Sequence, residues 1–501
     1  MSTMRVENPP SSPVIGTLDL DDPYSYQSGF GNHHSSEALE GAFPLRGNVP
    51  QKSRYNLYTE HMNGTSFISS RESVLNLWMY RRKPAAAHEA PVPQFSETLG
   101  GVDTPKAQLE SCFLPTNPNV KFTPLPYTWG PVTLTNQNQI TFLQGLRTIA
   151  GNGDSTLSQG LAVHQYAFNT NMPNEAFVNH DGEFLIIPHS GTLDVKSELG
   201  TLRVKPGFIA VLPPGIRYSI NLVSPFSSTL VGTGYVLELF GTHFTLPSLG
   251  PLGGNGLARV NDFQYPVACF DDDPNHQQPA PSESAHHVPA PCQQQKQKQK
   301  QKQQQWKITI KLSSRLYAYA QPHSPFDVVA WHGRYAPYRY DLSKFAHLSV
   351  NTDQLDPTAF CVLTAPSLRA GVSVVDFCIF GEKWLVAEGT MRVPYYHRTM
   401  ATEVCGLVRG EYGGSSRPLA EGGICVEASW MGHGEGEREW RRAREEEDTG
   451  APRKVGEGGY LGFMFHISAK LGLTKFAVEE HPDIKEEIKG LWDLDSSRSV
   501  K

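Results

Sequence analysis

Between about Val132 and Phe244 the apolar residues of this chain come in short runs, each stopped by a turn residue, and that pattern restricts the fold to short strands. The runs Gly182-Glu183-Phe184-Leu185-Ile186-Ile187-Pro188, Gly200-Thr201-Leu202-Arg203-Val204 and Phe208-Ile209-Ala210-Val211-Leu212 are too short for helices and bounded by Gly and Pro. Strands at this spacing close into a sandwich or barrel. With 45 Gly and 38 Pro in 501 residues, turns are favoured over long helices throughout. The same pattern resumes after Trp306, as in Phe326-Asp327-Val328-Val329-Ala330-Trp331 and Val372-Ser373-Val374-Val375-Asp376-Phe377-Cys378-Ile379-Phe380.

Gly207 to Tyr218 has the form G-x5-P-x-G-x2-Y, which resembles the second sequence motif of cupin barrels with Tyr218 where a metal-binding His would stand. The stretch His180 to Gly191, at the place of the first motif, lacks the histidine pair. The resemblance implies a barrel that has lost its metal site, so any metal must bind elsewhere. The fold class expected is mainly β, with two β-sandwich or cupin-like (jelly-roll) domains and few short helices. The divisions expected are a flexible arm over 1–25, an N-terminal β domain with the degenerate barrel over 26–270, a low-complexity insertion over 271–305 and a C-terminal β domain over 306–501. The insertion ends in a Gln/Lys tract from Gln293 to Gln305 that cannot bury enough apolar surface to order itself. The charged run Glu435 to Glu447 reads as a solvated loop or short helix, and Glu479 to Trp492 as an amphipathic helix.

Composition narrows the function. A net charge of -6 gives no footprint for nucleic acid or for a membrane surface. No stretch approaches the roughly 20 apolar residues of a membrane span, and Met1 to Asp22 has no signal-peptide core. A cytoplasmic protein is expected. The seven cysteines are odd in number and lack any CxxC pair, which argues for reduced core thiols rather than disulfides or a zinc-thiolate site.

There is no GxGxxG opening a βαβ unit, no Walker loop, no GxSxG and no HExxH. Histidine and carboxylate remain. His33, His34, His286 and His287 lie in loops where a solvated side chain is the default. The informative group is Pro394-Tyr395-Tyr396-His397-Arg398, Glu403 six positions on from His397, and Met431-Gly432-His433-Gly434. Two imidazoles and one carboxylate suit a facial-triad iron(II) site, because they fill one face of an octahedron and leave positions for substrate and O2. On spacing alone the alternative, a hydrogen-bonded core His beside a surface Glu, stays open.

Several stretches, in order along the chain, closely resemble signatures of the homogentisate 1,2-dioxygenase family. They are Tyr26-Gln27-Ser28-Gly29-Phe30-Gly31-Asn32, Tyr55-Asn56-Leu57-Tyr58, Gly250-Pro251-Leu252-Gly253-Gly254-Asn255-Gly256-Leu257-Ala258, Val329-Ala330-Trp331-His332-Gly333-Arg334-Tyr335-Ala336-Pro337-Tyr338 and Pro394-Tyr395-Tyr396-His397-Arg398. The resemblance implies a non-haem iron(II) enzyme that converts homogentisate and O2 to 4-maleylacetoacetate in tyrosine and phenylalanine breakdown. It implies His397, Glu403 and His433 as Fe(2+) ligands, His332 as acid and base, and Tyr412 and His433 as substrate contacts. It also implies a homo-oligomer, trimer or hexamer, with no nucleic-acid or membrane partner.

Two positions depart from the family pattern. Thr399 stands where the family usually has Asn, and Glu427 where it usually has a His associated with substrate. An ionised Glu there repels an aromatic acid. Besides the homogentisate enzyme itself, the sequence therefore admits a diverged paralogue cleaving a related hydroquinone acid, and a catalytically silent cupin-like binding protein.

Overall fold

The computed structural model describes residues 22–45, 47–94, 96–99, 102–105, 109–134, 139–223, 231–249, 257–271, 305–347, 360–385, 396–411, 419–434, 436–446, 450–456 and 458–486. The expected insertion lies almost wholly outside the described residues, as does most of the expected N-terminal arm.

The described chain is mainly β, as the short runs required. An 11-stranded central sheet has in its middle the strands Phe208–Leu212, Glu183–Ser190, Gly232–Leu239, Gln159–Phe168 and Leu146–Asp154, in that order. These strands are apolar on both faces because both faces are covered. Successive side chains of a strand point to opposite sides. Phe184, Ile186, Ala210 and Leu212 enter one core with Phe177, Tyr218 and Ile220, while Leu185, Ile187, Ile209 and Val211 enter another with Val404, Ile424 and Phe463. Each such large buried side chain contributes roughly 1.5–3 kcal/mol relative to exposure. The uninterrupted run Phe184-Leu185-Ile186-Ile187 is thus the signature of a doubly covered strand.

A seven-stranded outer sheet, built from Gly200–Val204, Leu193–Ser197, Arg217–Leu222, Glu175–Asn179, Trp306–Leu312, Arg315–Gln321 and Val92–Pro93, closes over the first core. A second seven-stranded sheet closes over the other face with Cys361–Pro366, Ser373–Gly381, Leu461–Ile467, Thr402–Arg409, Ile424–Glu427, Tyr127–Trp129 and Ile484–Glu486 in order. We call it the site sheet. Tyr235 of the central sheet is fully buried against it, its hydroxyl donating to the carbonyls of Leu407 (3.0 Å) and Gly423 (2.9 Å). A four-stranded sheet of His34–Glu37, Val328–Gly333, Asn76–Arg81 and Tyr58–Asn63 lies beside them. The sandwiches therefore share their middle layer.

Strand pairing crosses the line drawn at residue 306. Trp306–Leu312 runs parallel to Glu175–Asn179, and Tyr338–Asp341 pairs with Phe208–Leu212. In the other direction, Tyr127–Trp129 pairs with Ile424–Glu427, and Gly472–Thr474 with Leu146–Asp154.

Tyr218, at the place of the missing cupin ligand, is a core residue. Its ring stands edge-on to Phe177 with centroids 5.5 Å apart, and its hydroxyl has no hydrogen-bond partner among the described residues. The first core instead borders a buried charge cluster. Lys311 Nζ donates to Asp181 Oδ2 (2.6 Å) and Glu238 Oε1 (2.8 Å), and His164 Nε2 lies 3.2 Å from Glu238 Oε2.

The helices are few and short, among them Phe142–Gly145 and Glu437–Glu445, the second inside the charged run. The helix expected from Glu479 to Trp492 is corrected. A short π-helical turn, Phe476–Glu480, ends before His481-Pro482, and Ile484–Glu486 pairs with Tyr127–Trp129 as an edge strand. Pro482 supplies no N–H and disfavours helical backbone at His481, and the open edge of the site sheet takes the segment up. Residues 487–492 lie outside the described residues. Six of the seven cysteines are described and all six are free thiols, as expected.

Candidate metal centre

Glu403 sits near the start of strand Thr402–Arg409, with Val404 turned into the core and Glu403 on the outer face of the site sheet. The two segments that flank the sheet there are tied to one another. His397 and His433 form an isolated antiparallel bridge through two backbone hydrogen bonds of 3.1 Å. Thr399 adds a second tie, its carbonyl accepting from Trp430 N at 2.7 Å and its hydroxyl from Ala401 N at 3.2 Å. Gly434 closes the turn after His433 at φ 153°, where an added Cβ would lie 2.9 Å from Cδ1 of Tyr396. Glycine is the residue that fits.

This backbone brings three side chains to one point. His397 Nε2 lies 3.1 Å from Glu403 Oε1, and His433 Nε2 lies 3.1 Å from Glu403 Oε2. One donor atom from each of the three residues falls within 4.8 Å of the others. The Met431 carbonyl accepts from His433 Nδ1 at 3.0 Å, which fixes that ring with Nε2 toward the carboxylate. Burial would raise the Glu403 carboxyl, but the hydrogen bonds and charge of the two imidazoles outweigh it and bring it down to about 2. For His433, burial favours the neutral ring, yet the Glu403 carboxylate prevails and the imidazole is raised above its ordinary value.

The three groups fit a divalent cation, because an ion between them would take the place of the protons shared by two imidazoles and one carboxylate. Such a set occupies three positions and leaves others open, as in facial-triad iron sites and in catalytic zinc sites.

Register extends the site sideways. Glu403 stands directly opposite Glu427 on one neighbouring strand and His466 on the other. Glu427 is buried, and its charge reaches His433.

His332 belongs to the four-stranded sheet, in strand Val328–Gly333. Its Nδ1 lies 3.2 Å from His33 Nε2 and its Nε2 lies 3.3 Å from the Tyr80 hydroxyl. Burial, with the nearby His33, lowers its pKa, so it is neutral and able to accept a proton at pH 7. Gly333 after it has φ 152°, and a Cβ there would press to 2.2 Å from the Asn76 carbonyl oxygen. Among the described residues no hydrogen bond or ion pair links His332 to His397, Glu403 or His433. Tyr412 lies outside the described residues.

The residue types, together with the family resemblance, pointed to His397, Glu403 and His433, but His466 and His33 were missed. His466 alternates with Phe463, Phe465 and Ile467, which was enough to put it on the outer face. No sequence pattern gave the strand register that sets it beside Glu403.

Two family models match this chain, the homogentisate 1,2-dioxygenase N-terminal model over residues 25–342 and the C-terminal model over residues 343–497. The homogentisate 1,2-dioxygenase of Emericella nidulans is 37% identical over 478 residues, covering 94% of this chain and 95% of its own. That of Arabidopsis thaliana is 39% identical, covering 93% and 91%, and that of Drosophila melanogaster 38%, covering 91% and 94%. Among solved structures, protein Ylba from E. coli aligns over 71% of this chain and 96% of its own at 9% identity, with a TM-score of 0.31, too low to establish a shared fold. Matched from residue 25 to residue 497 by both domain models, and by full-length relatives well above 30% identity, the chain belongs to the homogentisate 1,2-dioxygenase family.

Proposed function

We propose that this chain is a ring-cleaving dioxygenase that converts homogentisate and O2 to 4-maleylacetoacetate, with one Fe(2+) held by His397, Glu403 and His433. The observation that carries the reading is the convergence of those three donor groups within 4.8 Å. Iron(II), when bound there, supplies a redox-active template that holds an aromatic diol and O2 side by side. The protein's own part begins with Glu403, whose depressed pKa keeps it ionised and available as a ligand through the physiological range. Met431 holds the His433 ring with Nε2 toward the centre. His332 takes a proton from a ring hydroxyl of the substrate and returns it as the ring opens, a task suited to its neutral imidazole. Tyr412 and His433 contact the substrate.

Further parts of the reading are a cytoplasmic location, a homo-oligomer (trimer or hexamer) and a division into an N-terminal β domain, a low-complexity insertion and a C-terminal β domain with the iron. No helix of the described residues is long and apolar enough to cross a membrane.

A second reading, a paralogue that cleaves a related hydroquinone acid, is favoured by the buried Glu427 directly opposite Glu403. One experiment separates the two. The protein is loaded anaerobically with iron(II), and O2 uptake is followed with homogentisate, gentisate and homoprotocatechuate side by side. Uptake is expected with homogentisate at the highest kcat/KM. A preference for gentisate, a hydroquinone acid, establishes the paralogue, a preference for homoprotocatechuate, a catechol acid, contradicts both readings, and no uptake with any of them contradicts the enzyme reading.

A further inference from the structure

We propose that His466, which stands beside Asp376, receives the acidic end of the substrate at the metal centre and so determines which aromatic acids the site accepts. This rests on reading the centre as a ring-cleaving site for an aromatic acid.

Antiparallel register sets one side chain from each of five strands in a row across the outer face of the site sheet: Thr364, Asp376, His466, Glu403 and Glu427. Directly opposed residues have Cβ atoms about 4.5–5.5 Å apart, so His466 and Glu427 are the two lateral neighbours of the ligand carboxylate. Their chemistry is opposite. Glu427 places a second buried acidic side chain beside Glu403. On the other flank stands an imidazole.

His466 faces Asp376 on its other side. Its Nδ1 lies 3.7 Å from Asp376 Oδ2. Asp376 is fixed in turn, accepting from the Thr364 hydroxyl at 2.6 Å and from the Ser373 hydroxyl at 2.9 Å. With Nδ1 on the Asp376 side, Nε2 is left on the far edge of the ring, and the side chain is about one-third exposed (32%), open to a ligand. A carboxylate approaching the centre therefore meets a hydrogen-bonding group with an anionic partner behind it.

Arg398 is the competing cation, since it follows His397 and its stem lies against Gly432. The test uses the full chain loaded with iron(II) and compares homogentisate with its uncharged methyl ester. His466→Asn is expected to raise KM for homogentisate about 10- to 100-fold, the range for losing a hydrogen bond to a charged group, with a smaller change in kcat. Its KM for the ester should hardly change, and iron content should stay at the parent's level. Arg398→Gln should move KM much less. Exchanging the flanks, Glu427→His with His466→Glu, should recover part of the loss, and anaerobic equilibrium binding of homogentisate gives the same ranking if a variant is less stable.

An active parent whose KM for homogentisate is unchanged in His466→Asn overturns the proposal, as does a KM rise carried by Arg398→Gln or equal losses for acid and ester. A parent inactive with every aromatic acid overturns the ring-cleavage reading itself, and this proposal with it.

Discussion

Replacing Glu403 by Ala is expected to remove bound iron and to lower kcat/KM for ring opening by more than about 1,000-fold, well beyond the roughly 10- to 100-fold cost of losing an outer partner of a metal ligand. The geometry gives the reason. Glu403 is the hub of the centre, each of its oxygens facing one imidazole Nε2 at 3.1 Å. Without it, two imidazoles with no anion between them would have to hold a dication alone. The fold should survive, because the adjoining Val404, Leu407 and Val408 keep their places in the cores. Metal content by elemental analysis and O2 uptake on the same samples check this. Iron at the parent's level with turnover intact would contradict it.

The largest expected effect on stability lies far from the iron. Lys311→Met should destabilise the fold by about 3–5 kcal/mol at pH 7, because it leaves the Asp181 and Glu238 carboxylates buried without their counter-charge. The pH dependence has a definite sign. Burial would raise both carboxyls, yet the Lys311 ammonium, together with the Ser313 and Ser314 N–H groups at Asp181 and His164 at Glu238, outweighs it and both lie below their ordinary values. Groups lowered on folding contribute stability above the unfolded pKa, and that contribution is lost as pH falls through the folded value. The gap between parent and variant should therefore narrow from about pH 7 towards pH 4, because the orphaned carboxylates of the variant are relieved by protonation. Denaturant unfolding at several pH values measures it. A gap that stays below about 1 kcal/mol at neutral pH, or that widens on acidification, is inconsistent with this account of the cluster.

The strands were legible because their cause is local. Runs such as Phe208-Ile209-Ala210-Val211-Leu212, stopped by Gly and Pro, have few alternatives to β structure. The sharing of one middle sheet between two sandwiches was not legible, since a run such as Phe184-Leu185-Ile186-Ile187 tells that both faces of its strand are covered but not which strands, far off in sequence, cover them. The same limit explains the C-terminal segment. Its amphipathic pattern suggested a helix, but Pro482 and the free edge beside Tyr127–Trp129 decided for a strand. At the site, His397, Glu403 and His433 could be named from their residue types and the family resemblance, though two of them meet in an isolated bridge and the third lies near the start of a strand. His466 could not be named, because its role depends on register alone. Thr399 looked like a departure of unknown weight, and it proves to join the two histidine-bearing segments through its backbone carbonyl.

The most direct test of the central claim is a crystal structure of anaerobically iron-loaded protein with anomalous data at the iron edge. One strong peak per chain is predicted, within bonding reach of Nε2 of His397, Nε2 of His433 and an oxygen of Glu403. A peak elsewhere, or imidazoles turned away from Glu403 with no iron between them, would contradict it.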